Sequence, residues 1–370
     1  MRTMKTLAIA AAALAGVLGA SAAARADITI AVVGPMTGSE AAFGEQFKHG
    51  AAKAVEDINA KGGVMGQKLN LLMGDDACDP KQARSVAEEI ASKKAVFVAG
   101  HFCSGSSIPA SEVYQENGIL QISPGSTNPT YTERGLPNVF RTCGRDDNQG
   151  KIAAEYVAAK QKGKVVAIIH DKSSYGKGLA DEFKKALNGA GIKEAFYEAV
   201  TAGEKDYSAL VTKAKAAKVD ILYLGGYKTE GGLIVRQMRD QGMKTMLMGG
   251  DALVTEEYWA ITGPAGEGTM MTFSPDPRLL PQNAELVKYF RSQNYEPEAY
   301  TLYTYATIQA WAQAADKVKS TDWKKVAAEL KSGDKFNTAI GSIGFDTKGD
   351  VVGPTYVMYV WKNGKYGYAE

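Results

Sequence analysis

In this chain of 370 residues, the side chains with chemical potential gather just after short apolar runs. Gly100-His101-Phe102-Cys103-Ser104-Gly105-Ser106-Ser107 follows the run Ala95 to Ala99 and precedes a segment, Ile108 to Glu116, that reads as helical. Hydroxyls and unpaired backbone N–H groups at a helix start suit an anion, because that end of a helix carries partial positive charge. The same serines have a second reading as helix caps. Pro124-Gly125-Ser126-Thr127 adds hydroxyls after the following run, and Phe43 lies beyond the first one. A second set comprises Asp171 and Tyr175, Gly225-Gly226-Tyr227, and Asp251 after Gly249-Gly250. Hydroxyls and a helix start on one side, with aromatics and a carboxylate on the other, can hold a small zwitterion with an apolar side chain. Taken singly, Tyr175 and Tyr227 read as packing residues, and Asp251 reads as a cap for a helix that has its own candidate cap in Thr255.

Other chemistries find less support. His49, His101 and His170 lack metal-ligand spacing and no motif ties them to a cysteine. Gly34-Pro35-Met36-Thr37-Gly38 follows an apolar run but lacks the Gly-x-Gly-x-x-Gly spacing of a dinucleotide site, and no phosphate-binding Gly-x-x-x-x-Gly-Lys-Ser/Thr occurs. No cofactor or metal is expected. The alternatives are an exported binding protein for amides or other amino acids and an exported α/β enzyme acting on amino acids or amides, of which the enzyme would need a base-activated nucleophile or a metal cluster. Cys78 and Cys103 both follow apolar runs, so they are placed to pair. A closed loop of about 25 residues would gain about 3.5 kcal/mol in the chain-entropy picture. Cys143 is then left as a buried free thiol.

The elements that must position these residues alternate. Ile28 to Val33, Leu69 to Met73, Ala95 to Ala99, Ile119 to Ser123 and Val139 to Thr142 read as strands. Between them the apolar stripe Phe47, Ala51, Ala54, Val55 and Ile58 marks a helix ending at Gly62-Gly63, and Lys81 to Lys93 marks another. The pattern restarts with a helix from Asp146-Asp147-Asn148-Gln149 to about Lys162. Strands follow at Lys164 to His170, Glu194 to Val200, Ile221 to Gly225 and Met246 to Met248, separated by helices from Gly178 to Asn188, Tyr207 to Lys218 and Glu230 to Gln241. Such βαβ progressions imply parallel sheets with helices on both faces, and ligands beyond the carboxyl ends of the strands. Helices near Ala284 to Arg291, Leu302 to Val318 and Trp323 to Leu330, then strands at Ser342 to Phe345 and Tyr356 to Trp361, must complete both units.

At the start of the chain, Arg2 and Lys5 precede the apolar run Leu7 to Leu18, and Ala24-Arg25-Ala26 offers small residues at a cleavage site. This pattern predicts an export signal over residues 1–26, cut after Ala26. The 43 basic residues lose Arg2, Lys5 and Arg25 with it while all 41 acidic ones remain, which brings the net charge near −1. Nucleic acid is therefore not the expected partner.

Five stretches carry a resemblance: Gly-Asp-Asp-Ala-Cys-Asp-Pro-Lys-Gln-Ala (74–83), Gly-His-Phe-Cys-Ser (100–104), His-Asp-Lys-Ser-Ser-Tyr-Gly-Lys-Gly (170–178), Thr-Ala-Gly-Glu-Lys-Asp-Tyr (201–207) and Gly-Gly-Tyr (225–227). In these the chain resembles the periplasmic leucine/isoleucine/valine-binding proteins, the substrate-binding components of branched-chain amino acid ABC importers. The resemblance implies an α/β fold of two doubly wound, Rossmann-like lobes joined by three hinge crossings, the type I periplasmic-binding fold. It implies lobe 1 over 27–145 and 275–353, and lobe 2 over 146–274 and 354–370. Carried onto this sequence, it implies that Ser104, its loop N–H groups and Thr127 bind the ligand carboxylate, while the Gly125 carbonyl and Asp251 take the ammonium. Tyr175, Tyr227 and Phe43 would wall the side-chain pocket, with Cys103 beside it in a disulfide to Cys78. The family has Glu where Asp251 stands, Tyr for Phe43 and Ala-Ala for Gly125-Ser126. The expected ligand is a branched-chain L-amino acid, or another small aliphatic one. The expected partners are a membrane permease and its ATPase, with the protein itself a monomer in the periplasm.

Overall fold

The computed structural model describes residues 26–353 and 356–369. The segment expected to be an export signal lies outside them except for Ala26. In the first half of the chain come β1 (Ile28–Gly34), α1 (Ala41–Ala60), β2 (Leu69–Asp75), α2 (Pro80–Ser92), β3 (Phe97–Gly100), α3 (Ser104–Glu116), β4 (Leu120–Ser123), α4 (Thr130–Glu133) and β5 (Val139–Arg141). These strands form one parallel sheet in the order β2-β1-β3-β4-β5. Apart from edge strand β2, these strands are buried on both faces and largely apolar because helices cover both, as buried parallel strands require. On one side Phe97 of β3 stacks on Trp311 with ring centroids 4.8 Å apart. The other side packs Val86 and Ile90 of α2 and Val113 of α3 against Ala31, Val33 and Val98.

A second series follows: α5 (Asp146–Lys160), β6 (Val166–His170), α6 (Ser174–Gly189), β7 (Tyr197–Ala199), α7 (Ser208–Ala216), β8 (Ile221–Gly225), α8 (Lys228–Asp240), β9 (Met246–Gly249), α9 (Glu256–Thr262) and β10 (Met270–Phe273). Next are α10 (Ala284–Ser292), α11 (Thr301–Val318), α12 (Trp323–Leu330), β11 (Phe336–Thr338), β12 (Gly341–Phe345), β13 (Val351–Val352), β14 (Val357–Lys362) and β15 (Lys365–Tyr368). The second sheet runs β15-β14-β10-β9-β8-β6-β7, and β11-β12-β13 form a small third one. Strands β6 to β10 pair in parallel, whereas β14 and β15 add antiparallel at the edge. Tyr223 of β8 stacks on Phe183 of α6 at 3.7 Å, anchoring that helix. The tail serves both sheets, since β14 extends the second and Asp350 bridges to Arg141 of β5 in the first.

Several sequence expectations are corrected. Helix α3 starts at Ser104, not at Ile108. Cys103 is extended and its carbonyl accepts from the N–H groups of Ser106 and Ser107 at 2.9 and 3.0 Å, so the serines form the helix's first turn rather than a loop before it. The strand expected from Glu194 to Val200 shrinks to Tyr197–Ala199 at a sheet edge. Helix α9 begins where Thr255 was expected to cap it, with Thr255 Oγ accepting from the Glu257 N–H, whereas strand β10 has no counterpart in the sequence reading.

Candidate functional site

The carboxyl ends of β3, β4, β6, β8 and β9 converge from the two sheets on one small cavity. Phe102, Ser104, Gly125, Tyr175, Tyr227, Asp251 and Ala252 line this space, whose cavity volume is about 10 Å³. That is far below the ~300–1,000 Å³ of pockets for drug-sized ligands. Ser104 and Asp251 are both 1% exposed, so the cleft is shut. A larger, open groove among Lys164, Lys215, Asp220 and Lys244 lies at the opposite, amino ends of β6, β8 and β9, away from where doubly wound sheets bind ligands.

On the first sheet the serines knit two loops together. Ser123 Oγ donates to the His101 carbonyl at 2.6 Å, and Ser126 Oγ donates to the Phe102 carbonyl at 2.9 Å. Ser107 and Ser126 hydroxyls meet at 2.6 Å. Ser104 Oγ accepts from the Asn128 N–H at 3.2 Å, and its own proton stays available. Buried Arg141 ties the loop from below, donating to the Ser126 and Asn128 carbonyls at 2.7 and 3.0 Å and pairing with Asp350 at 2.7 Å. The disulfide Cys78–Cys103 holds the loop from the side, with its Cα atoms 5.5 Å apart. Behind it His101, fully buried, meets Asp76 at 2.6 Å and Tyr114 at 2.9 Å, which gives that histidine a structural role.

Asp251 is the charge presented by the second sheet. Its Oδ1 accepts from Tyr175 OH and Gln149 Nε2, each at 2.8 Å, and its Oδ2 accepts from Tyr300 OH. Burial pushes the Asp251 carboxyl above the usual range, and these donors oppose the push. Gln149 Nε2 also donates to Asp146 at 3.0 Å, while Thr272 donates to Gln149 Oε1 at 2.6 Å, fixing the amide's orientation. Burial, and then the neighbouring Asp251, raise the Asp146 carboxyl as well. The three donors on Asp251 occupy only part of the roughly four lone-pair sites of a carboxylate, which leaves room for a ligand ammonium.

The structure thus brings Ser104, Gly125, Tyr175, Tyr227 and Asp251 to one cavity. Phe43 stands one ring back, stacked on Phe102 at 4.2 Å, so Phe102 is the ring facing the cavity from that side. Thr127 is fully buried outside the lining, with its Oγ1 unpartnered. Cys103 is buried with its sulfur in the disulfide. Gly125 has no side chain for a reason of space: a Cβ there would lie 2.6 Å from Phe102 Cδ2. Cys143 is a buried free thiol whose pKa burial pushes upward, which disarms it as a nucleophile. Among the described residues no cluster of three or more His, Cys, Asp or Glu could hold a metal ion. Nor is any helix there long and apolar enough to cross a membrane.

Sequence reasoning missed Phe102 as a wall, together with Tyr300 and Gln149. Phe102 sits inside the quoted Gly-His-Phe-Cys-Ser stretch, so its neighbours were a usable signal. Tyr300 and Gln149 open helices far away in sequence and carried none.

Comparison with known proteins supplies the context. Residues 27–365 match the periplasmic binding protein family. The chain is 52% identical over 361 residues to Leu/Ile/Val-binding protein homolog 1 of Brucella suis, covering 97% of each. It is 49% identical over 362 residues to an amino acid binding protein of Pseudomonas aeruginosa, covering 97% of this chain and 96% of that one. Among solved structures it resembles the leucine binding protein LivK of Thermotoga maritima, with a TM-score of 0.86, 28% identity, and coverage of 93% of this chain and 98% of that one. It also resembles LivJ of Streptococcus pneumoniae in complex with isoleucine, with a TM-score of 0.85, 28% identity, and coverage of 93% and 99%.

Proposed function

The chain belongs to the periplasmic binding protein family, and from that premise we propose that it is the substrate-binding component of a branched-chain amino acid ABC importer. The observation that carries the reading is the pairing, across one closed cleft, of a helix start bearing Ser104 with the buried carboxylate of Asp251. An L-amino acid presents an anion and a cation a few ångströms apart, and these two features meet both. Ser104, the first N–H groups of α3 and Thr127 take the carboxylate. Asp251 and the Gly125 carbonyl take the ammonium, while Tyr175, Tyr227 and the Phe43–Phe102 stack enclose the side chain. Relatives named for leucine, isoleucine and valine support the ligand class.

The lobes run over 27–145 with 275–353 and over 146–274 with 354–370, and three crossings form the hinge. The membership of β1–β5 in one sheet and of β6–β10 with β14–β15 in the other supports that division. The protein is exported to the periplasm with cleavage after Ala26, works as a monomer beside a permease and its ATPase, and performs no catalysis.

Calorimetry with a panel of ligands tests the reading. Leucine, isoleucine and valine should bind within about tenfold of one another, because a buried methylene contributes only about 0.8 kcal/mol. Smaller alanine and threonine should bind more weakly. Binding of urea or short-chain amides without leucine would replace the reading with an amide carrier, and turnover of an amino acid or amide would replace it with an enzyme.

A further inference from the structure

Beyond the cavity, one ammonium group is buried with no ligand to account for it. Lys228, the first residue of α8, is fully buried. Its Nζ donates to the Ser39 carbonyl at 2.6 Å and pairs with Glu40 at 2.9 Å and Glu257 at 3.2 Å. It also lies 5.1 Å from the centre of the Phe43 ring. Ser39 and Glu40 precede α1 of the first-sheet unit, whereas Lys228 and Glu257 belong to the second. Glu40 is 3% exposed, and its carboxyl is raised by burial while Lys228 pulls it back. The pair bridges the two lobes beside the aromatic wall, one residue from Tyr227 and three from Phe43. No atom of it lines the cavity.

We infer that Lys228 and Glu40 are positioning residues for ligand binding, a cross-lobe ion pair that holds the cleft shut over the bound ligand and sets how long it stays. The inference rests on the binding role given above. When the lobes part, Lys228 keeps Glu257 but loses Glu40 and Ser39, so the full set of partners exists only in the closed form. An ion pair removed from water is stable only when both partners are present, and deleting one leaves the other uncompensated. Each single deletion therefore opens the cleft, and removing both charges together costs less than the two single losses added. Because the pair does not touch the ligand, its loss weakens leucine, isoleucine and valine by the same factor.

The test compares the mature protein with Lys228→Met, Glu40→Gln and the double variant. Stopped-flow kinetics should show leucine leaving at least tenfold faster in each single variant, with the association rate unchanged and the order of the three ligands preserved. The double variant should fall short of the product of the single effects. Unchanged dissociation, strictly multiplicative effects or an altered ligand order would overturn the inference. A second readout needs no leucine: dyes on Lys93→Cys and Lys185→Cys, exposed on the two lobes, report closed-state dwell times by single-molecule energy transfer. Those dwell times should shorten about tenfold in Lys228→Met, and equal dwell times would overturn the inference. Failure of wild-type protein to bind any of the three amino acids would instead overturn the proposed function and leave the dwell-time comparison to decide the ion pair.

Discussion

Replacing Asp251 with Asn keeps the shape of the site and removes its charge. Tyr175, Gln149 and Tyr300 were arranged around a carboxylate, and a ligand ammonium buried beside an amide loses its counter-ion. The expected cost is about 3–5 kcal/mol, which is at least about a hundredfold in leucine affinity. Ser104→Ala should cost less, about 1–3 kcal/mol, since the helix N–H groups remain. Calorimetry on both variants checks the order, and a larger loss for Ser104 would reverse the assignment of the dominant contact. A second residue carries a pH signature. Burial pushes the Glu298 carboxyl from its ordinary 4.5 up to about 7, where it accepts from the Glu256 N–H at 2.8 Å and from Thr255 Oγ at 3.1 Å. Its folded pKa exceeds its unfolded one, so the folded state binds more protons between the two values and stability falls as pH rises through that window. Glu298→Gln mimics the protonated acid. It should gain about 1–2 kcal/mol relative to wild type on going from about pH 5 to about pH 8. Denaturant melts across that range test this, with parallel pH profiles as the contrary result.

Among the elements, the contact of α1 with α11 bears most directly on the site. At Gly50 a Cβ would lie 2.1 Å from the Thr301 carbonyl oxygen, so the two helix backbones approach each other directly there. Thr301 follows Tyr300, whose hydroxyl donates to Asp251, and the Tyr300 N–H donates to Gln46 of α1 at 2.9 Å. Gly50→Ala must push α11 outward, which costs about 1–3 kcal/mol of stability and withdraws Tyr300 from Asp251. Thermal melts and leucine titration should fall together. A melt that drops with affinity intact would mean that α11 does not position the site. The helix α3 shows why element boundaries were hard to read. Serine is a weak helix former that favours caps and turns, so Ser104, Ser106 and Ser107 looked like a loop although they form the helix's first turn. Strand β10 was hidden for a related reason. Met270-Met271-Thr272-Phe273 lacks alternation and carries a single β-branched residue, Thr272, and it is a strand because β9 and β14 lie on either side of it.

Across the whole molecule, closure is the property to measure. With Ser104 and Asp251 sealed from solvent, a ligand reaches them only if the lobes first part. Leucine then shifts the population toward the closed form by its difference in affinity for the two forms. Small-angle scattering should show a smaller radius of gyration with saturating leucine than without. An unchanged radius alongside tight binding would mean that the cleft admits ligand without lobe motion.

Local pattern was sufficient for much of this. Apolar runs and helical stripes located both sheets, because burial between helix layers demands continuous apolar strands. The rule that ligands lie at strand carboxyl ends collected Ser104, Gly125, Tyr175, Tyr227 and Asp251, and strand-end placement paired Cys78 with Cys103. What the tertiary structure alone decided are contacts between groups distant in the chain. Gln149 meets Asp251 across 102 positions, Tyr300 across 49, and Lys228 meets Glu40 across 188. Phe102 displaces Phe43 from the cavity by stacking on it. Hydrogen bonds, ion pairs and ring stacking act over a few ångströms in space, and only the packing of the two sheet units brings those groups within reach.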